Sequence, residues 1–165
     1  VDNFTSNGRL FVPVEIERKF LVKGDDWKTD NGMRIVQGYL NHDRERTVRV
    51  RIAGAKAFLT IKGISTGATR AEFEYEIPVV DAEQLLRLCE GKLIEKTRHA
   101  VACAGMTWEV DEFHGANEGL VVAEIELETA EQTFTRPDWL GPEVTADARY
   151  FNSSLAVRPY TSWSE

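Results

Sequence analysis

Val14-Glu15-Ile16-Glu17-Arg18-Lys19-Phe20-Leu21-Val22 sets charge into a run of hydrocarbon. Side chains alternate across a strand, so Glu15, Glu17 and Lys19 share one face while Ile16 and Phe20 share the other. Glutamate and lysine are poor strand formers unless their face is wet or chemically employed. The oddity recurs in Arg49 with Arg51, in Glu72, Glu74 and Glu76, in Lys96 with Arg98, in Glu109 with Asp111 and in Glu124, Glu126 and Glu128, while Lys62 ends a further run. Any one of these is an ordinary solvated sheet face. Taken together, the arginine pairs and the later glutamate pairs stay segregated by strand, and closing those strands into a barrel would turn them onto one cavity where acids oppose bases.

Turn signals separate the runs: Gly24-Asp25-Asp26, Asp30-Asn31-Gly32, Asn41-His42-Asp43, Ala53-Gly54-Ala55 and Gly63 to Gly67. After Pro78, Asp81 is expected as a helix N-cap, with Leu85, Leu86 and Leu88 at helical spacing and Gly91 as the stop. Strands resume over 93–102, 106–113 and 120–127, with Cys103-Ala104-Gly105 as a hairpin turn and 114–119 as a loop. Thr129 to Gln132 reads as a short capped helix and 146–155 as another. The fold expected is α+β, mainly β: a closed antiparallel barrel of about eight strands with helices packed outside. One domain over 14–158 is expected between an N-terminal tail, 1–13, and a C-terminal tail, 159–165.

A chain of 165 residues, 42% hydrophobic, can bury a core without metal or disulfide staples. Cys89 and Cys103 lack metal-site or paired spacing, and the start of the chain is polar, so a cytoplasmic location is expected, with no membrane partner. The formal charge of −7 argues against a nucleic-acid binder, whose affinity comes from a broad basic footprint. Local basic strand faces still suit a small polyanion. His42, His99 and His114 have no ligand spacing, and Trp27, Trp108, Trp139 and Trp163 read as packing residues.

Carboxylates at alternate strand positions are hard oxygen donors, which makes Glu15, Glu17, Glu124 and Glu126 candidate ligands for Mg2+ or Mn2+. Guanidinium forks of Arg49, Arg51 and Arg98, with the point charges of Lys19, Lys62 and Lys96, suit successive phosphates of a chain. Phosphoryl transfer asks a protein mainly for positioning and charge neutralisation, and such a cavity supplies both.

Glu15-Ile16-Glu17-Arg18-Lys19 resembles the ExExK signature of the CYTH superfamily, the triphosphate tunnel metalloenzymes. The resemblance continues in order through Gln37-Gly38-Tyr39-Leu40, Val48 to Arg51, Thr60-Ile61-Lys62, Arg70 with Glu72 and Glu74, Glu95 to Arg98, Trp108 to Phe113, Ala123 to Leu127 and Asp147 to Asn152. It implies a charged tunnel in which Glu15 and Glu17 join Glu124 and Glu126 at metal and Glu72 and Glu74 hold a second ion or its water. It also implies that Lys19, Arg49, Arg51, Lys62, Lys96 and Arg98 grip a triphosphate. Thr47 stands where some members carry a further arginine, which would lighten the grip on that side. Tyr39 is either a core aromatic or the group that orients Lys96 for catalysis alongside Glu15 and Glu17.

The activity expected is metal-dependent hydrolysis of a linear triphosphate, inorganic tripolyphosphate first, with ATP cyclisation of the class IV type and thiamine triphosphate hydrolysis as the enzymatic alternatives. A polyphosphate- or nucleotide-binding module is the non-enzymatic alternative, and association as a homodimer stays open.

Overall fold

The computed structural model describes residues 12–163. Its strands are β1 (Val14–Val22), β2 (Met33–Asn41), β3 (Arg46–Ala53), β4 (Lys56–Gly63), β5 (Thr69–Ile77), β6 (Glu90–Cys103), β7 (Met106–His114), β8 (Val121–Glu126) and β9 (Leu140–Glu143). They form one antiparallel sheet in the order β5-β4-β3-β2-β6-β7-β8-β1-β9, and a β1–β5 pairing closes eight of them into a barrel. Closure rests on three register pairs, Val14 with Ala71, Glu15 with Arg70 and Ile16 with Thr69. Farther along the same edge of β1, β9 takes over at Phe20 and Val22. The expected barrel with outer helices is therefore the fold observed.

Hairpin chemistry explains the meander. Ala104 at φ 47° and Gly105 at φ 79° both sit in the left-handed region, as the tight β6–β7 turn requires. Outward-facing residues of β1, β7 and β8 make the largest core: Phe20, Trp108, Val110, Ala123 and Ile125 pack with Trp27 and Trp139 from the flanking connections. Trp108 stacks edge-on against Phe20, Phe134 and Trp139 with centroids 5.5–5.8 Å apart, a preferred aromatic arrangement. Helix α1 (Val79–Arg87) lays Ala82 and Leu86 over Val50 and Ala57. Helix α2 (Asn152–Val157) seats Leu155 and Ala156 against Tyr39, Ile94, Phe113 and Val122.

Several local expectations are corrected. The N-cap of α1 is Pro78, with no side-chain cap, and Asp81 lies in the first turn, where its charge complements the helix dipole. Gly91 does not stop α1, which ends at Arg87; it opens β6 at φ 71°, where a Cβ would meet the Ala156 carbonyl oxygen at 2.7 Å. Residues 129–132 form a single turn, closed by the Gln132 N–H donating to the Thr129 carbonyl, and not a helix. The helix expected over 146–155 is split into a 3-10 turn, Ala148–Tyr150, and α2. The N-terminal stretch 1–11 lies outside the described residues. At the other end the Tyr160 N–H donates to Asn117 Oδ1, and Tyr160 and Trp163 pack beside the α2 cluster. Among the described residues no helix is long and apolar enough to cross a membrane.

Candidate active site

Barrel closure turns the alternating charges inward around a cavity of about 600 Å³. β1 contributes Glu15, Glu17 and Lys19; β3 contributes Arg49 and Arg51; β4 contributes Lys62; β5 contributes Arg70, Glu72 and Glu74; β6 contributes Lys96 and Arg98; β8 contributes Glu124 and Glu126. Tyr39 of β2 shares the wall, so every site residue expected from the sequence lines this one cavity. Glu109 joins them, whereas Glu76 pairs with Lys56 outside.

Ion pairs knit the walls together. Lys19 Nζ donates to Glu124 at 2.6 Å and lies 3.3 Å from Glu17. Lys62 Nζ donates to Glu15 at 2.6 Å and lies 3.5 Å from Glu72. Glu74 takes Arg51 at 3.2 Å and stands 3.5 Å from Arg49. Across the barrel, Asp111 of β7 accepts from Lys96 at 2.5 Å and from Arg98 Nε and Nη2 at 2.7 and 2.8 Å, while Glu109 pairs with Arg98 as well.

These contacts set the charges. Burial pushes the Glu17 carboxyl up, and the facing Glu124 pushes it further than Lys19 pulls it back. Glu15 is likewise raised, first by burial, which together with the neighbouring Glu72 carboxylate outweighs the pull of Lys62. Glu124 is held well below the usual carboxylate range because Lys19 and Arg98 outweigh its burial. Burial pulls Lys96 down to about 8 in spite of Asp111. Burial also raises the Tyr39 phenol.

Two expectations change. Lys96 is aimed by Asp111 rather than by Tyr39, and Asp111, which the strand alternation marks only as a companion of Glu109, is fully buried behind the cavity wall. Thr47 does not leave its side without a cation, because Arg70 Nη2 reaches from β5 to donate to the Thr47 hydroxyl. Among the described residues no three acidic or histidine side chains stand ready as a metal cage, since the carboxylates are turned onto lysine and arginine. The donor set nevertheless fits a hard cation: oxygen ligands in excess, with Glu15 and Glu17 uncomfortable as bare charges. His42 and His99 stay out of the cavity lining, His99 anchoring Thr29 through Nδ1.

An antiparallel barrel closed around opposed carboxylates and cations is the architecture of the triphosphate tunnel proteins. The chain belongs to the CYTH domain family, whose model matches residues 14–160. It is 52% identical over 153 residues to the inorganic triphosphatase of Acetivibrio thermocellus, covering 92% of this chain and 98% of that protein. It is 38% identical over 147 residues to the inorganic triphosphatase of Nitrosomonas europaea, covering 87% of this chain and 97% of that one. The solved inorganic triphosphatase NE1496 superposes with a TM-score of 0.64 at 37% identity, over 87% of this chain and 94% of its own.

Proposed function

We propose that this chain hydrolyses a linear triphosphate, inorganic tripolyphosphate to diphosphate and phosphate, with Mg2+ or Mn2+ as cofactor. The observation that carries the reading is the single bore in which paired carboxylates face paired cations, in a chain most of whose length aligns with inorganic triphosphatases. Lys19, Arg49, Arg51, Lys62, Lys96 and Arg98 bind and straighten the phosphate chain, and Asp111 holds the last two at fixed angles. Glu15, Glu17, Glu124 and Glu126 would hold the divalent ion, and Glu72 and Glu74 a second ion or its water. What such an ion supplies when bound is neutralisation of phosphate charge and a more acidic water. In the reaction a water oxygen bonds the terminal phosphorus, the bond from that phosphorus to its bridging oxygen breaks, and the bridging oxygen leaves on diphosphate. Lys96 and Arg98 stabilise charge on the departing oxygens, and Tyr39 presents its phenol to the same space.

Phosphate release from tripolyphosphate, ATP and thiamine triphosphate, each with Mg2+, Mn2+ or chelator, tests the reading against Glu17→Ala. Fast metal-dependent release from tripolyphosphate that the substitution abolishes supports it. Silence on tripolyphosphate with cyclic AMP formed from ATP would replace it with a cyclase, and tight binding without turnover would replace it with a binding module.

A further inference from the structure

Every cavity-lining cation but one is matched to a carboxylate: Lys19 to Glu124, Arg49 and Arg51 to Glu74, Lys62 to Glu15, Lys96 and Arg98 to Asp111. Arg70 is the exception. Among the described residues no carboxylate oxygen lies within 4 Å of its guanidinium, and its register neighbour Glu15 gives its carboxylate to Lys62 instead. Neutral acceptors hold it. Gly63 O accepts from Nε at 3.1 Å and from Nη2 at 2.8 Å, and the Thr47 hydroxyl accepts from Nη2 at 3.2 Å. One edge of the fork is thus clamped to the backbone, the plane is fixed, and Nη1 has no protein acceptor among the described residues.

Position adds to this. In the closed strand order β5 stands four places from β6, so Arg70 faces the Lys96 and Arg98 wall from across the bore. A half-buried, preorganised guanidinium that lines a cavity without a direct ion pair is a site for an anion. A linear inorganic triphosphate has two free ends, each able to carry two negative charges. In a triphosphate ester one end carries a single ionisable oxygen and an organic group.

We propose that Arg70, clamped by Gly63 and Thr47, reads the second free end of a linear triphosphate and so selects inorganic triphosphate over triphosphate esters. This rests on the reading of the cavity as a triphosphate site. It does not rest on turnover.

The test is calorimetric binding of tripolyphosphate and of ATP in chelator-containing buffer to the wild-type chain, Arg70→Gln and Arg70→Lys, with circular dichroism and melting as fold checks. Arg70→Gln is expected to bind tripolyphosphate about tenfold or more weakly while ATP changes within about threefold. Arg70→Lys, which keeps the charge but loses the fork, falls between and decides the matter if the glutamine variant does not fold. Equal losses for the two ligands, or no loss, overturns the proposal, as does a wild-type preference for ATP. Tight wild-type binding of tripolyphosphate without phosphate release would sink the hydrolase reading and leave Arg70 standing.

Discussion

Lys96 and Asp111 meet at 2.5 Å with both side chains only 1% exposed, and the same carboxylate also holds Arg98. One buried acid therefore fixes the direction of two cations that would face the substrate. Asp111→Asn leaves Lys96 without its counter-charge and Arg98 with only Glu109 and Glu124, and breaking a buried pair in this way costs about 3–5 kcal/mol. Urea denaturation should show that loss together with a fall in kcat; a variant as stable and active as the wild type would refute the role.

The pH dependence of substrate affinity follows from Lys96. Burial brings its pKa down to about 8, so the ammonium is lost as pH rises through that value and KM for tripolyphosphate should climb. Its effect on stability has the opposite sign. Because the folded pKa lies below the unfolded 10.5, the cost of the buried charge is fully present below about 8 and is relieved as pH rises from there toward 10.5. A KM that is flat between pH 7 and 9 (on the order of one unit either side of that pKa) would contradict this.

Glu17 and Glu124 should respond oppositely to neutralisation. Glu17 is raised by burial and by Glu124, so its ionisation costs stability above the unfolded pKa, and Glu17→Gln should melt higher than wild type at neutral pH while losing activity. Glu124 is depressed by Lys19 and Arg98 against its burial, so its stabilisation is present above the unfolded 4.5 and lost as pH falls. Glu124→Gln should melt lower at neutral pH, with the gap closing in acid. Thermal scans at neutral and acid pH separate the two; shifts of the same sign would count against the assigned charges.

Divalent cations should raise the melting temperature of the wild type, by linkage of ligand to the folded state, and more so with tripolyphosphate present. The shift should shrink in Glu17→Gln. A melting temperature indifferent to Mg2+ and Mn2+ with tripolyphosphate would remove the proposed metal site.

Gly91→Ala probes the support beneath Tyr39. At φ 71°, with the Ala156 carbonyl 2.7 Å from the added Cβ, the substitution should cost about 1–3 kcal/mol and loosen α2 from β6. Faster amide exchange in α2 would report it.

The walls of the cavity were legible because alternation is a local property: Glu15, Glu17, Arg49, Arg51, Glu72 and Glu74 announce their shared face within a few residues of one another. The functional weight of Asp111 and Arg70 was not legible, because it depends on register between strands. Asp111 matters through its place opposite Arg98, and Arg70 through reaching Thr47 and Gly63 on two other strands. β9 carries no strand signal, because glycine and proline at 141 and 142 are poor strand formers. Its pairing instead rests on tight backbone approach, a Cβ on Gly141 lying 2.8 Å from the Leu21 carbonyl oxygen. Asp81 misled because a good capping residue carries no information about Pro78, whose fixed φ of −57° starts the helix three residues earlier.

Among the described strands β1 comes first in the sequence, and its set of partners is completed last. β1 finds its neighbours at 69–71, at 122–126 and at Leu140 and Glu143, so its pairing is complete only once the later of these segments have been synthesised. Long-range pairings of this kind make folding slow and leave an open edge during synthesis. The ExExK strand thus completes the barrel and the cavity in one late step, and the nascent chain has no charged tunnel until it does.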